Sequence, residues 1–197
     1  MTSIKALIAA GLSLWLAGCA ANGPAPSQYT LPEDGGGDPT RIAGADATHR
    51  LVVGQPRLAR FLDVDGLVLQ LDDITLNEAN HHQWAEPLVL QLERGLRARL
   101  AARLPDTRVI QDDSDSRRSA AATLRLEVDR FHGRFDGRAV AGGQWQLRDG
   151  GGELLAVAPF AVEVELAEDG YPALVRALGR GWDRVADEIA AQIKRLR

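Results

Sequence analysis

The chain has 197 residues, 25% charged and 45% hydrophobic, with a formal net charge of −4 and a single cysteine, Cys19. A net negative chain lacks the basic face of a general nucleic-acid binder, so no nucleic acid is expected among its partners. One cysteine excludes an intrachain disulfide, a multi-cysteine zinc site and an iron–sulfur cluster, while the hydrophobic fraction and the length fit one globular domain with extra segments.

The N-terminus is the first extra segment. Lys5 is the only charge before Glu33, and 6–17 is apolar or small throughout. A positive start, a short apolar stretch and small residues before a cleavage point make an export signal. The stretch falls short of the ~20 residues a membrane span needs. Leu16-Ala17-Gly18-Cys19 has the pattern of the bacterial lipobox. Small Ala17 and Gly18 let a peptidase reach the bond before the cysteine, whose thiol receives a diacylglycerol. The expectation is a signal peptide over 1–18 and a membrane contact made through acyl chains on Cys19. Ala20, where aspartate favours inner-membrane retention in enteric-type bacteria, points to the outer membrane and its periplasmic face.

Residues 19–49 read as the lipidated cysteine and a flexible tether rich in Gly, Pro, Ala and Asp, with a free span of about 30 Å. Tyr29, Thr30, Leu31 and Pro32 interrupt it, either as a chance cluster or as a short strand docked on the domain. The domain itself is expected over 50–197, as a periplasmic α/β unit. A buried strand is predicted over 51–53. Leu67, Leu69 and Leu71 alternate with Val68 and Gln70, which predicts a strand over 66–73 that 74–76 extends. Leu88, Leu92, Leu96, Leu100 and Leu104 recur every four residues, predicting an amphipathic helix over 85–104 with Pro87 in its first turn and Pro105 at its end. Glu93 and Arg97 are spaced to pair on it. A strand over 107–111 and a polar loop to 120 follow.

Leu124, Leu126 and Val128 then alternate with Arg125, Glu127 and Asp129, and Phe131 breaks the phase, which predicts a bulge or a twist. Asp136-Gly137 predicts a type I′ hairpin turn. The chain returns over 138–148, turns at 149–152 and alternates again through Phe160, Val162, Val164 and Leu166, with Pro159 marking an edge or bulge. Leu174, Leu178, Trp182, Val185, Ile189 and Ile193 form one stripe of a long helix over 172–195. The fold class is therefore α/β: a single domain with a mixed sheet, including an antiparallel three-stranded meander, packed by two main helices. Gly95, Gly179 and Gly181 lie inside the helices at about 1 kcal/mol each relative to alanine. Such glycines point to close approach by a neighbour, in this chain or in another subunit.

No catalytic constellation emerges. His81 and His82 are adjacent and point apart, no ligand spacing of the His-Glu-x-x-His kind occurs, and with His49 and His132 they read as solvated loop residues. The serines sit in polar stretches outside any nucleophile elbow. Asp72-Asp73 and Asp112-Asp113 lack an apolar pocket that would split their pKa values. The Gly142-Gly143 and 150–152 runs lack the lysine and helix of a phosphate loop. No metal, cofactor or catalytic residue is expected, which favours a binding or scaffolding role. Three segments are candidate contact surfaces, each with a plainer structural explanation. Leu58, Phe61, Leu62 and Val64 are partner contacts or core. Arg176, Arg180 and Arg184 form a contact stripe or a solvated face pairing with Glu188. The 131–145 hairpin, with Phe135 and Trp145, presents contacts or buries its aromatics in a twisted strand.

Four pieces behind the lipobox carry a family resemblance: Tyr29, Leu31 and Pro32; Trp84, Glu86, Pro87 and Leu88; Arg134 to Trp145 with Phe135-Asp-Gly and Gly143-Gln-Trp; and Gly170-Tyr171 with the Trp182 helix ending in Ile189-Ala-Ala-Gln-Ile-Lys-Arg-Leu. In that order they resemble the PqiC family, the ABC-type transport auxiliary lipoprotein components of paraquat-inducible systems. The tether is longer and richer in glycine than the family pattern. The resemblance implies an outer-membrane lipoprotein, an accessory of an MCE/ABC-type intermembrane lipid transport system that supports membrane integrity. It implies docking to a periplasmic MCE-type, PqiB-like subunit and assembly as a homo-oligomer, rings included. The alternative from another class is a periplasmic enzyme acting on lipid or peptidoglycan, or a solitary binding module.

Overall fold

One long strand organises the sheet. In this computed structural model, which describes residues 25–32, 47–112 and 121–197, the elements run β1 (Ser27–Tyr29), β2 (His49–Val53), β3 (Arg57–Leu58), a 3-10 turn (Arg60–Leu62), β4 (Gly66–Gln70), β5 (Leu76–Trp84), α1 (Leu88–Arg103), β6 (Thr107–Gln111), β7 (Ala122–Arg134), β8 (Arg138–Arg148), β9 (Leu154–Glu165) and α2 (Tyr171–Arg195). β7 pairs antiparallel with β8 along one edge, and β8 pairs with β9. Its other edge is shared in turn by β2, β3 and β4, all parallel to it. β6 then adds parallel to β2, β5 adds antiparallel to β4, and β1 adds parallel to β5. The result is the mixed sheet with a three-stranded meander that the alternation implies.

A register shift between Val128 and Arg130 accounts for the phase break. It leaves Asp129 and Arg130 exposed and returns Phe131 to the core. The β7–β8 turn differs from the type I′ expectation. Arg134 pairs with Arg138 across three loop residues, the Gly137 N–H donates to the Arg134 carbonyl at 3.1 Å, and only Gly137 takes a positive φ (77°). This is a type I turn closed by a left-handed glycine, which spares Asp136 the strained conformation that a two-residue turn would impose.

The strand expected to run to 73 stops at Gln70, and 74–76 does not extend it. The Asp72 carboxylate accepts the Ile74 and Thr75 amides at 2.9 and 2.7 Å, and the Leu71 N–H donates to the Thr75 carbonyl, which turns the chain. β5, which begins at Leu76, has no counterpart in the hydrophobic pattern because only Ala79 and Trp84 along it are buried. α1 starts at Leu88, three residues later than expected, with Pro87 as its cap residue.

Both helices pack on the sheet and on each other, α1 against β6 and α2 against the meander. Trp182 is fully buried between them. Its ring lies edge-on to Phe131 and Phe160 with centroids 5.8 and 6.2 Å away, and its indole N–H donates to the Leu92 carbonyl at 3.1 Å. Arg99 and Arg103 of α1 meet Asp183 and Asp187 of α2 at 2.7 and 2.5 Å, the same four-residue spacing on each helix. The helix glycines face neighbours in the same chain. A Cβ on Gly95 would meet Arg99 and Trp182, one on Gly179 would stand 2.9 Å from the Pro32 ring, and one on Gly181 would rest on β8 and β9.

Candidate anchor and interaction site

Residues 27–32 are built into the domain. Tyr29 lies on β1, opposite Trp84. Its carbonyl accepts the Ala85 N–H at 2.8 Å, and its hydroxyl hydrogen-bonds His82 Nδ1 at 2.8 Å. The His82 ring stacks on Tyr171 at the start of α2, with centroids 3.8 Å apart. Leu31 is buried in the core. Its N–H donates to Gln91 Oε1 at 2.7 Å, and Gln91 Nε2 donates to the Glu86 carbonyl at 3.0 Å. Pro32 settles over Gly179, and its carbonyl accepts Arg99 Nη2 at 2.8 Å.

Arg99 is the centre of this clamp. Its side chain is 1% exposed, and its guanidinium donates to Asp183 Oδ1, to the Gly95 carbonyl at 3.3 Å and to Pro32. A buried cation is tolerable only with partners of this kind. So the docked strand, rather than the chance cluster, is the structure of 27–32. The stretch between Cys19 and β1 is the seven residues 20–26. Gln91 and Arg99 were missed as site residues. Their signal was polar chemistry on the leucine stripe, three positions after Leu88 and after Leu96.

Of the expected site residues, Cys19 and the 1–18 signal lie outside the described residues. Phe61, 37% exposed, sits on the 3-10 turn with its ring 6.4 Å from that of His132. Phe135 is 62% exposed at the β7–β8 turn. Leu62 and Trp145 are buried in the core, so the structure separates them from the two exposed phenylalanines. A groove of about 580 Å³ opens near β3, lined by Arg57, Arg125, Glu127, Gln144, Gln146 and Val157, with Trp145 also bordering it. Mixed charges and amides suit a protein surface better than an apolar ligand. Arg180 and Arg184 do not pair with Glu188 in this arrangement. They donate to the Glu165 and Glu163 carbonyls at 3.2 and 3.0 Å, covering the C-terminal half of the β9 edge.

The histidines depart from the solvated-loop expectation. His81 and His82 lie on β5, and His132 is buried on β7. Burial pushes the His132 imidazole below its ordinary range. A hydrogen bond to the Gly133 carbonyl opposes the shift, and Arg130 and Arg134 add to it. The unfolded chain therefore binds this proton more tightly than the folded one. The stability His132 confers is complete above about pH 6.5 and falls as the pH drops through the histidine range. Wild type should lose more stability than His132→Gln between pH 7 and 5 in urea unfolding. Equal losses would remove His132 as the cause. At the β7–β8 turn, Arg134 and then Arg138 hold the Glu163 carboxyl down to about 2, and Arg134 likewise lowers Asp136. Among the described residues no cluster of three or more His, Cys, Asp or Glu is placed to hold a metal ion, and no helix is long and apolar enough to cross a membrane.

A mixed sheet packed by two helices, with β1 on its edge and Pro32 held against both helices, defines a single α/β domain. The chain belongs to the family of ABC-type transport auxiliary lipoprotein components, whose model matches residues 29–190, from the clamped tyrosine to the Trp182 helix. It is 35% identical over 184 residues to the intermembrane transport lipoprotein PqiC of Escherichia coli, covering 93% of this chain and 95% of that protein. Its fold is similar to the crystal structure of an uncharacterized protein, with a TM-score of 0.73 and 32% identity over 86% of this chain and 99% of the other. A Xanthomonas campestris protein shares the fold at a TM-score of 0.64 and 19% identity, over 84% and 90% of the two chains.

Proposed function

We propose that the protein is held at the periplasmic face of the outer membrane by acyl chains on Cys19 and serves there as the accessory subunit of an MCE/ABC-type intermembrane lipid transport system. The clamp on residues 29–32 carries this reading. A domain that docks 27–32 as an edge strand, buries Leu31 and holds Pro32 through a buried arginine ties the chain leading from its anchor to its fold. The family membership and the intermembrane transport named for the Escherichia coli relative support the same reading. The protein acts by contact and not by catalysis.

Phe61, exposed near β3, faces the periplasmic MCE-type, PqiB-like subunit. Leu62 and Trp145 contribute by supporting that surface from the core, and the groove beside Trp145 adds hydrogen-bonding groups. A second copy of the chain, in rings or smaller assemblies, uses the N-terminal half of the β9 edge. There Leu154, Leu155 and Val157 are 47%, 42% and 54% exposed, and the α2 arginines do not cover the strand.

Two experiments test the reading. Cys19→Ala, expressed behind a signal that general signal peptidase cleaves, should fold normally, take up no labelled palmitate and leave the membrane fraction. Sedimentation of that variant with membranes in high salt would rule out the lipid anchor. Mild-detergent purification of the lipidated protein with crosslinking should recover an MCE-domain protein joined near Phe61. Recovery of the chain alone at every crosslinker dose would turn the reading toward a solitary binding module or an enzyme.

A further inference from the structure

We infer that the end of the sheet carrying the β4–β5 and β7–β8 turns rests in the surface of the phospholipid bilayer to which the chain is anchored, with Ile74 and Phe135 as its inserted tips. This rests on the anchor proposed above.

The first ground is direction. β1 runs parallel to β5, with Ser27 beside His82, so the N-terminal end of β1 points toward Leu76 and the β4–β5 turn. β4 and β7 are parallel, pairing Leu69 with Gly133 and Gln70 with Arg134, so their chains enter the two turns side by side. The anchor-bearing end of β1 and both turns therefore point the same way.

The second ground is reach. From the level of Ser27 to the level of Leu76 is six residues of β5, or about 20 Å. The eight residue steps from Cys19 to Ser27 extend at most about 28 Å. The anchor can lie level with the turns, but not far beyond them. A bilayer holding the acyl chains is therefore within reach of this end of the domain.

The third ground is what the turns expose. Leu71, Ile74, Leu76 and Phe135 are 53%, 87%, 42% and 62% exposed. Neither turn is loose. Asp72 fixes the first through the Ile74 and Thr75 amides. The second is fixed by Arg134, which donates from Nε and Nη2 to the two Asp136 carboxylate oxygens at 2.9 and 2.7 Å. Apolar side chains held out on rigid turns enter an interface with little ordering cost. A mostly apolar pocket of about 140 Å³, lined by Leu69, Leu166, Tyr171 and Leu174 with Arg134 and Arg138 at its border, opens at the same end.

Charge selects the kind of surface. Arg134 and Arg138 are paired with Asp136 and Glu163, and Asp72 and Asp73 add negative charge. With no uncompensated cation on these two turns among the described residues, insertion is apolar and needs no anionic lipid.

The test uses the full lipidated protein in phosphatidylcholine vesicles. Because Cys19 carries the anchor, Ile74→Cys supplies one free thiol for an environment-sensitive fluorophore, and Glu153→Cys, at the β8–β9 turn on the opposite end, serves as the control. The label at 74 should be quenched several-fold more by bilayer-borne spin label than the label at 153, and equally so when phosphatidylglycerol is added. Quenching at 74 by aqueous iodide as strong as at 153 would overturn the inference. So would shielding from both quenchers, which would mean that a second copy or a partner covers the tips. Flotation of the lipidated protein, but not of Cys19→Ser, reports on the anchor separately. If both float alike or neither floats, the anchor reading fails and takes this inference with it. If flotation depends on Cys19 while position 74 stays wet, only the inference fails.

Discussion

Trp182→Ala should lower the stability of the domain by about 3–5 kcal/mol, as the truncation of a fully buried large aromatic does. Trp182 is 0% exposed and touches the other helix and two strands of the sheet. Phe131 of β7 and Phe160 of β9 stand at steep angles to its ring, 83° and 68°, and the Leu92 carbonyl of α1 accepts its indole N–H. Alanine leaves a cavity that two helices and a sheet would have to close together. Close-packed elements relax only partly, so most of the cost persists. At about 2–4 °C per kcal/mol for a domain of this size, the melting temperature should fall by about 10 °C. Trp182→Phe separates the contributions. It keeps an aromatic ring in place, removes the indole donor and should cost about 1–2 kcal/mol. Urea unfolding of the mature chain bearing Cys19→Ala measures both. A midpoint for Trp182→Ala equal to that of its parent would mean that Trp182 does not tie α2 to α1 and the meander.

Much of this core was legible because its residues obey a period. The four-residue recurrence from Leu88 to Leu104 and the stripe from Leu174 to Ile193 each admit one helix face. The alternation through 124–128 and 160–166 admits one strand face. β5 was illegible for the same reason. Its neighbours β1 and β4 satisfy its backbone, and its side chains are mostly exposed, so no hydrophobic period marks it. The hairpin was located correctly at Asp136-Gly137, but its type was not. Asp-Gly suits a two-residue turn, whereas here pairing begins one residue earlier, at Arg134, and the arginine binds Asp136. The clamp was half legible. Tyr29, Leu31 and Pro32 stood out against a polar stretch. Their partners Gln91 and Arg99 did not, because a polar residue on an apolar stripe shows its purpose only when the segment it receives is in place. Leu62 and Trp145 could not be told from surface contacts, since residues that build a surface and residues that support it share one composition.

Arg99→Met should release residues 27–32 from the domain while the two helices stay folded. The arginine makes three kinds of bond, to Asp183, to Gly95 and to Pro32. Methionine keeps the volume and removes all of them. Breaking a buried ion pair costs about 3–5 kcal/mol when the partner is left desolvated. Asp183 escapes the upper part of that range because its side chain is 25% exposed and Arg103 stands 3.9 Å away. The Pro32 carbonyl has no such substitute within the clamp, so the loss falls on the N-terminal segment. Hydrogen exchange reads this directly. The Leu31 amide, held by Gln91, and the Ala85 amide, held by Tyr29, should lose protection, while amides inside α1 and α2 keep theirs. Asp183→Asn separates the ion pair from the clamp, since it leaves the Pro32 bond in place and should leave Leu31 protected. The consequence at the membrane is geometric. With the clamp closed, the anchor is joined to the sheet by eight residue steps, about 28 Å at most; with 27–32 released, the next described strand is β2 at His49, thirty steps from Cys19 and about 100 Å at full extension. A lipidated Arg99→Met protein should still float with vesicles but lose the bilayer quenching of a label at position 74. Retention of that quenching, with Leu31 exchanging freely, would show that the domain finds the membrane without its clamp.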